Sequence, residues 1–212
     1  MTELELRASV CETGRRLWQH GLVGAAEGNI SVRLDAERLL CTPSGASKGH
    51  LKPDDIVVID LHGAVLKGGS PSSEVRMHLA AYAARPDCQA VVHAHPAMAT
   101  AFALAGEEVP DNWLPEAAYV LGSVASVPFG MPGTDELPDA LKPFLEDHKT
   151  FLLAHHGAVV LGNSLADAYN RMETLERVCQ VIANARAIGV PKPLTNAAFQ
   201  HLLSVALNGR LA

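Results

Sequence analysis

Hydrophobic positions along the chain change period several times, and each change marks an element. Leu6, Val10, Leu17 and Trp18 keep helical spacing behind Thr2-Glu-Leu-Glu5. That tetrapeptide is a capping box with Thr2 as N-cap and Glu5 at the third helical position, and Gly21 fits the residue after the end. From Asn29 to Leu34 the pattern alternates, with Ile30, Val32 and Leu34 on one face, which predicts a half-buried strand. Leu39 to Thr42, Ile56 to Asp60 and Val65-Leu66 follow with short connections, so these strands form an antiparallel meander. Ser72 and Ser73 supply an N-cap to a helix that carries Val75, Leu79 and Tyr82 inward and ends before Pro86. Glu74 falls in its first turn. Ala90 to His95 is a short apolar run closed by Pro96, hence a strand, with Pro96 opening a helix through about Leu104.

The second half is less even. Between Glu107 and Gly130 the pattern supports one helix-like turn and a strand at Ser123 to Val127. Thr134 caps a helix bearing Leu137, Leu141 and Phe144, and its first turn carries acidic Asp135 and Glu136. Phe151 to His156 and Ala158 to Leu161 read as strands interrupted at Gly157. Ser164 opens the longest helix, whose Tyr169, Met172, Leu175, Val178 and Ile182 form a core stripe that Gly189 and Pro191 stop. Thr195 caps a last short helix closed by Asn208-Gly209. The order predicts an α/β chain: a layered sandwich around a central, largely antiparallel β-sheet, forming a single domain over residues 1–212.

Composition narrows the partners. The chain has 17 basic and 23 acidic residues, a net charge of −6, which argues against a nucleic-acid or anionic-membrane surface. A small anionic substrate would have to be met locally, by backbone N–H groups, helix ends or a cation. Cys11, Cys41, Cys88 and Cys179 show no metal or disulfide spacing, and the first residues have no leader pattern, so a cytoplasmic location is expected.

The chemistry gathers at histidines. On a strand His93 and His95 share a face, about 6 to 7 Å apart, and form two parts of a three-histidine metal site. His155 and His156, read as strand neighbours, leave opposite faces, so at most one of them can join that site, and parity does not choose which. Glu74 is a candidate fourth, oxygen ligand. Three imidazoles and a carboxylate suit Zn²⁺, with Co²⁺, Mn²⁺ or Fe²⁺ as alternatives. Ser72 and Ser73 at a helix start, Ser44-Gly45 in a small-residue loop and Asn29 at a strand start could converge as an anion seat. Lys48, Lys52 and Lys67 lie in loops or turns and read as solvated. No Walker loop, nucleophile elbow or dinucleotide fingerprint is present.

Gly28-Asn-Ile-Ser-Val-Arg33, Thr42-Pro-Ser-Gly45, Pro71-Ser-Ser-Glu74, His93-Ala-His95 and Ala154-His-His-Gly157 stand in one order. Together they resemble the class II aldolase/adducin family, fuculose-phosphate aldolases most of all. The resemblance implies a three-layer α/β/α sandwich assembled as a homotetramer with active sites at subunit interfaces. It implies one Zn²⁺ per subunit on His93, His95 and His156. It implies Glu74 as the acid/base that touches the metal at rest, and Asn29, Ser44, Gly45, Ser72 and Ser73 as the receivers of a substrate phosphate. Leu114 stands where the fuculose-type enzymes carry a proton-donating tyrosine, with Glu116 and Tyr119 nearby, and the tail after Leu207 lacks an aromatic residue that some members place over the site. The leading functional reading is a zinc-dependent aldehyde-lyase that cleaves a phosphorylated ketose, of fuculose- or ribulose-phosphate type, to dihydroxyacetone phosphate and an aldehyde. Alternatives on the same scaffold are a metal-dependent decarboxylase of a phosphorylated keto acid, a dehydratase of a thiosugar phosphate, and a non-catalytic adducin-like scaffold.

Overall fold

The computed structural model describes residues 1–207. Its helices are α1 (Glu3–Gln19), α2 (Val75–Ala84), α3 (Ala97–Ala105), α4 (Glu136–Leu141), α5 (Leu165–Ile188) and α6 (Asn196–Leu207). Its strands are β1 (Asn29–Arg33), β2 (Arg38–Cys41), β3 (Val57–Asp60), β4 (Val65–Lys67), β5 (Ala90–Ala94), β6 (Val124–Val127), β7 (Thr150–Leu153) and β8 (Gly157–Gly162). They form one sheet in the order β4-β3-β2-β1-β5-β8-β7-β6. The first four strands are the expected meander. The β6–β7 pair is parallel, because a crossover through α4 separates those strands, and every other pair in the sheet is antiparallel.

Alternation along each strand divides the apolar side chains between two cores. Ile30, Val32, Val92, Ala158 and Val160 face α1, α3 and α5, where Val10, Leu17, Phe102, Met172 and Leu175 cover them. Val91, Phe151, Leu153, Val159 and Leu161 face α2 and α4, covered by Met77, Ala81, Tyr82, Leu137 and Leu141. The result is a three-layer α/β/α sandwich with a largely antiparallel central sheet. Among the described residues no helix is long and apolar enough to cross a membrane.

Local differences from the sequence reading fall where turns compete with regular structure. Residues 154–156 are a turn rather than strand, since His155 adopts φ 57° and His156 N–H closes on Leu153 O at 3.0 Å. Pro96 and Asp135 are N-caps, each one position from the expected boundary or cap. Glu74, not a serine, is the N-cap of α2: Ser72 forms a turn first, its carbonyl accepting from Val75 N–H at 3.1 Å. The buried face of α2 also differs, for Met77, His78, Ala81 and Tyr82 point inward while Val75 and Leu79 are half-buried. Lys48 is 2% exposed rather than solvated. Its ammonium donates to Ala26 O at 2.8 Å and Ala46 O at 2.7 Å, tying together the loops before β1 and after β2. Asn208-Gly209 lies outside the described residues.

Candidate metal centre

Pairing of β5 with β1 and β8 holds His93 at the centre of the sheet, fully buried, on the face toward α2. Its Nδ1–H donates to Ala158 O at 2.8 Å, which leaves the lone pair of Nε2 pointing outward. His95 follows just beyond the strand end on the same face, with Nε2 3.0 Å from that of His93. The turn between β7 and β8 brings His156 to the pair: its ring centroid lies 4.7 Å from His93 and 4.9 Å from His95. One ligand atom from each of the three lies within 4.8 Å of the others. His155 is exposed and turns its ring toward Phe129, 6.3 Å away. The left-handed backbone of His155, not strand alternation, separates the two neighbours.

Two glycines make this convergence possible. A Cβ on Gly28 would stand 2.6 Å from the His93 carbonyl, and its φ of +68° disfavours any side chain. A Cβ on Gly157 would meet Ala94 O at 2.6 Å and the His95 ring at 2.7 Å.

Glu74 closes the group from the start of α2. Its Oε2 lies 3.3 Å from His93 Nε2, and its Oε1 lies 3.2 Å from His156 Nε2. Asn29 Nδ2 donates to Oε2 at 2.9 Å, whereas Oε1 and His156 Nδ1 are buried without a hydrogen bond. Burial works to raise the Glu74 carboxyl, but His93, His156 and Asn29 outweigh it and hold it at about 2. Burial, aided by the neighbouring His93, pushes His156 down to about 4 and His95 below its usual range. Neutral imidazole lone pairs and carboxylate oxygens thus face one another across a space with few donors, an arrangement that repels itself without positive charge. These residues could hold a divalent metal ion, and the donor set fits one.

The expected anion seat borders this centre. Ser44 and Ser72 backbone N–H groups are already engaged, by Ser70 O and Thr42 O, and a bridge between Pro43 and Pro71 locks the two loops together. Gly45 and Ser73 are exposed beside them. Glu116 and Leu114 line a groove of about 840 Å³ with Glu173 and Arg177, and Tyr119 sits beside Arg171. Neither groove contains His93, His95 or His156.

A polar run on α2 was missed in the sequence. His78 is 2% exposed, with Nδ1 2.6 Å from Ser31 Oγ and Nε2 2.5 Å from Asn29 Oδ1. Its signal was the spacing of Glu74, His78 and Tyr82 four residues apart, matched by Asn29 and Ser31 two apart on β1.

A three-layer sandwich with three histidines and a carboxylate at its centre is the architecture of a metal-dependent lyase. The family model "Class II Aldolase and Adducin N-terminal domain" matches residues 8–183, and the chain belongs to that family. It is 35% identical over 185 residues to the 3-oxo-tetronate 4-phosphate decarboxylase of Haemophilus influenzae, covering 85% of this chain and 88% of the relative. It is 32% identical over 202 residues to the 5-deoxy-D-ribulose 1-phosphate aldolase of Bacillus thuringiensis, covering 92% of each. The crystal structure of YgbL from Klebsiella pneumoniae, described as an aldolase/epimerase/decarboxylase, superposes with a TM-score of 0.89 at 34% identity over 95% of this chain and 99% of that one. These findings overturn the aldolase reading of the sequence: decarboxylases of that name reach 37% identity, and they favour loss of carbon dioxide over loss of an aldehyde.

Proposed function

We propose that this protein is a metal-dependent decarboxylase of a phosphorylated 3-oxo acid, of the 3-oxo-tetronate 4-phosphate type. The observation that carries the choice of leaving group is the similarity to decarboxylases, 35% to 37% identical over about nine-tenths of their length or a little less. Loss of carbon dioxide breaks the bond between the carboxyl carbon and its neighbour and leaves the electron pair there, delocalised into the ketone as an enediolate. One proton at that carbon then gives dihydroxyacetone phosphate.

His93, His95 and His156 would hold the cation, with zinc the best match to the ligand set. A bound divalent ion supplies Lewis-acid stabilisation of the enediolate charge. The chain's own residues do the rest. Glu74 rests ionised against His93 and His156. Once substrate enters, it loses its contacts with His93 and His156 but keeps Asn29 on Oε2, takes up a proton from solvent and delivers it to the carbon that lost carbon dioxide. Ser44, Gly45, Ser72 and Ser73 receive the phosphate, and Asn29 flanks it with its second amide N–H. Leu114 is consistent with this chemistry. An aldehyde leaving group needs proton transfer at the oxygen it carries, whereas a carboxylate leaves already ionised. An assembly with sites completed across subunits, as in a homotetramer, is supported by the large apolar Phe129, half exposed on the isolated chain and 6.3 Å from the His155 ring that adjoins the site.

The test is product analysis. Zinc-loaded protein given 3-oxo-tetronate 4-phosphate and a panel of ketose phosphates should release carbon dioxide and dihydroxyacetone phosphate from the first alone. No carbon dioxide, or an aldehyde from a ketose phosphate, would reject the reading. Light scattering that returned a fully active monomer would reject the shared sites.

A further inference from the structure

Helix α2 and strand β1 share a buried polar seam with an unusual regularity. Glu74, His78 and Tyr82 lie four residues apart and so project from one helix face, while Asn29, Ser31 and Arg33 lie two apart on one strand face. Four helical residues rise about 6 Å, and two strand residues about 6.7 Å. The two rows therefore interdigitate. Glu74 Oε2 meets Asn29 Nδ2 at 2.9 Å, and Asn29 Oδ1 meets His78 Nε2 at 2.5 Å. His78 Nδ1 meets Ser31 Oγ at 2.6 Å, and Ser31 Oγ meets the Tyr82 hydroxyl at 2.9 Å. Beyond Tyr82 the seam ends on Arg33, which sits 4.9 Å over the phenol ring and donates to Tyr82 O at 3.1 Å.

Chemistry fixes every direction in this ladder from one end. An ionised carboxylate only accepts, so Asn29 must turn its amide nitrogen to Glu74 and its carbonyl to His78. His78 must then carry its proton on Nε2. Its bare Nδ1 accepts from the Ser31 hydroxyl, whose oxygen in turn accepts from Tyr82. Reversing any member reverses all those between it and Glu74, and would aim the Asn29 carbonyl at the carboxylate.

We infer that His78, as its neutral Nε2–H tautomer, is a positioning residue that sets the orientation of Asn29 and through it holds Glu74 where the proton is transferred. The ladder spans about two turns of α2 and is closed from solvent by Tyr82 and the second core. It gives Glu74 a fixed partner on Oε2, so that only Oε1, which makes no hydrogen bond, is free to change partners when substrate arrives. The inference rests on the reading of Glu74 as the proton-transfer group, yet the ladder itself can be checked without turnover.

Two experiments decide it. The first is histidine ¹⁵N NMR of the wild-type protein, assigned by loss of the signal in His78→Leu. An Nε2–H neutral ring at His78 is expected, and an Nδ1–H or doubly protonated ring overturns the ladder whether or not the protein releases carbon dioxide. The second compares steady-state kinetics of His78→Leu, His78→Gln and Ser31→Ala, each zinc-loaded. Gln can place an N–H near the position of Nε2, so it should stay close to wild-type kcat. His78→Leu should lose about 10- to 100-fold in kcat, the usual worth of such supporting contacts, with zinc content unchanged and any rise in KM, through the Asn29 contact to the phosphate, smaller than the fall in kcat. Ser31→Ala, which disturbs packing least, should fall between them. If Leu and Gln lose kcat equally, or if KM rather than kcat moves, His78 only fills space. Should His78→Leu fail to fold, Ser31→Ala with wild-type kcat would overturn the inference on its own. A wild type that releases no carbon dioxide while His78 remains Nε2–H would indict the proposed reaction and leave the ladder standing.

Discussion

Replacing Glu74 by glutamine changes one oxygen to an amino group and leaves the volume almost unaltered. Asn29 Nδ2 offers a donor at 2.9 Å, so the glutamine must set its carbonyl there and its amino group at the position of Oε1. That position lies 3.2 Å from His156 Nε2, where without metal the amino group finds an acceptor. The metal-free fold should therefore keep its melting temperature within a few degrees. With metal bound, the same amino group faces a cation and is displaced, and no group remains to carry the proton. A positioned acid/base contributes about 10²- to 10⁴-fold, which corresponds to roughly 2.7 to 5.4 kcal/mol of barrier. Carbon dioxide release from 3-oxo-tetronate 4-phosphate, followed by coupled detection of dihydroxyacetone phosphate, measures the loss. Zinc content should stay near one per chain, because three imidazoles still hold it, and KM should change far less than kcat. Near-normal turnover at full zinc occupancy would refute the reasoning and pass the proton to another group, such as Glu116 or Tyr119 of a neighbouring subunit.

Three more outcomes follow from the geometry. Zinc measured by elemental analysis should be lost from His93→Ala, His95→Ala and His156→Ala and kept in His155→Ala; the reverse pattern at 155 and 156 would contradict the placement of the turn. Gly157→Ala sets a methyl 2.6 Å from Ala94 O and 2.7 Å from the His95 ring, so it should weaken zinc binding and, by the scale of overpacking, cost about 1 to 3 kcal/mol in a urea melt. Burial, with His93 adding to it and Glu74 opposing, pushes His78 down to about 3, whereas the unfolded ring titrates near 6.5. The folded ring then binds fewer protons than the unfolded one, so stability is complete above about pH 6.5 and falls as the pH drops toward 3. By pH 5 the loss is about 2 kcal/mol. Denaturant melts of metal-free protein should show this slope, and His78→Gln should flatten it.

The long helix was legible because it buries one face and so prints its period on the chain, and the meander because short apolar runs alternate with turn residues. The two-residue spacing of His93 and His95 was legible because the strand leading into it is covered on both sides and so reads as a continuous apolar run. What escaped notice was polar. His78 and Ser31 are buried only because each supplies what the other lacks, and a hydropathy pattern scores both as surface. Lys48 escaped likewise, since its burial depends on the carbonyls of Ala26 and Ala46, which belong to loops that no periodicity describes. The choice of His156 over His155 came from resemblance alone. Strand parity does not apply to a pair that lies in a turn with one member left-handed.

The reaction itself was the least legible feature, and the chemistry explains why. Retro-aldol cleavage of a ketose phosphate and decarboxylation of a 3-oxo acid phosphate pass through the same enediolate beside the same ketone. Both therefore call for one cation, one carboxylate for the proton and a seat for the phosphate, and the five sequence motifs record only those. The leaving groups differ in what they need from the protein. An aldehyde departs from a carbon whose hydroxyl must lose a proton, so the site needs a second proton-transfer group on the far side. A carboxylate departs as neutral carbon dioxide and hands its charge to the ketone oxygen. It needs the negative charge of the substrate held while that transfer occurs, in a chain whose own net charge is −6. The parts available for this are local: imidazoles set for a cation, exposed Gly45 and Ser73 in the loops proposed to receive the phosphate, and the buried ammonium of Lys48 that ties two of the surrounding loops together. A leucine at position 114, packed against the core, supplies nothing to the first reaction and costs the second nothing.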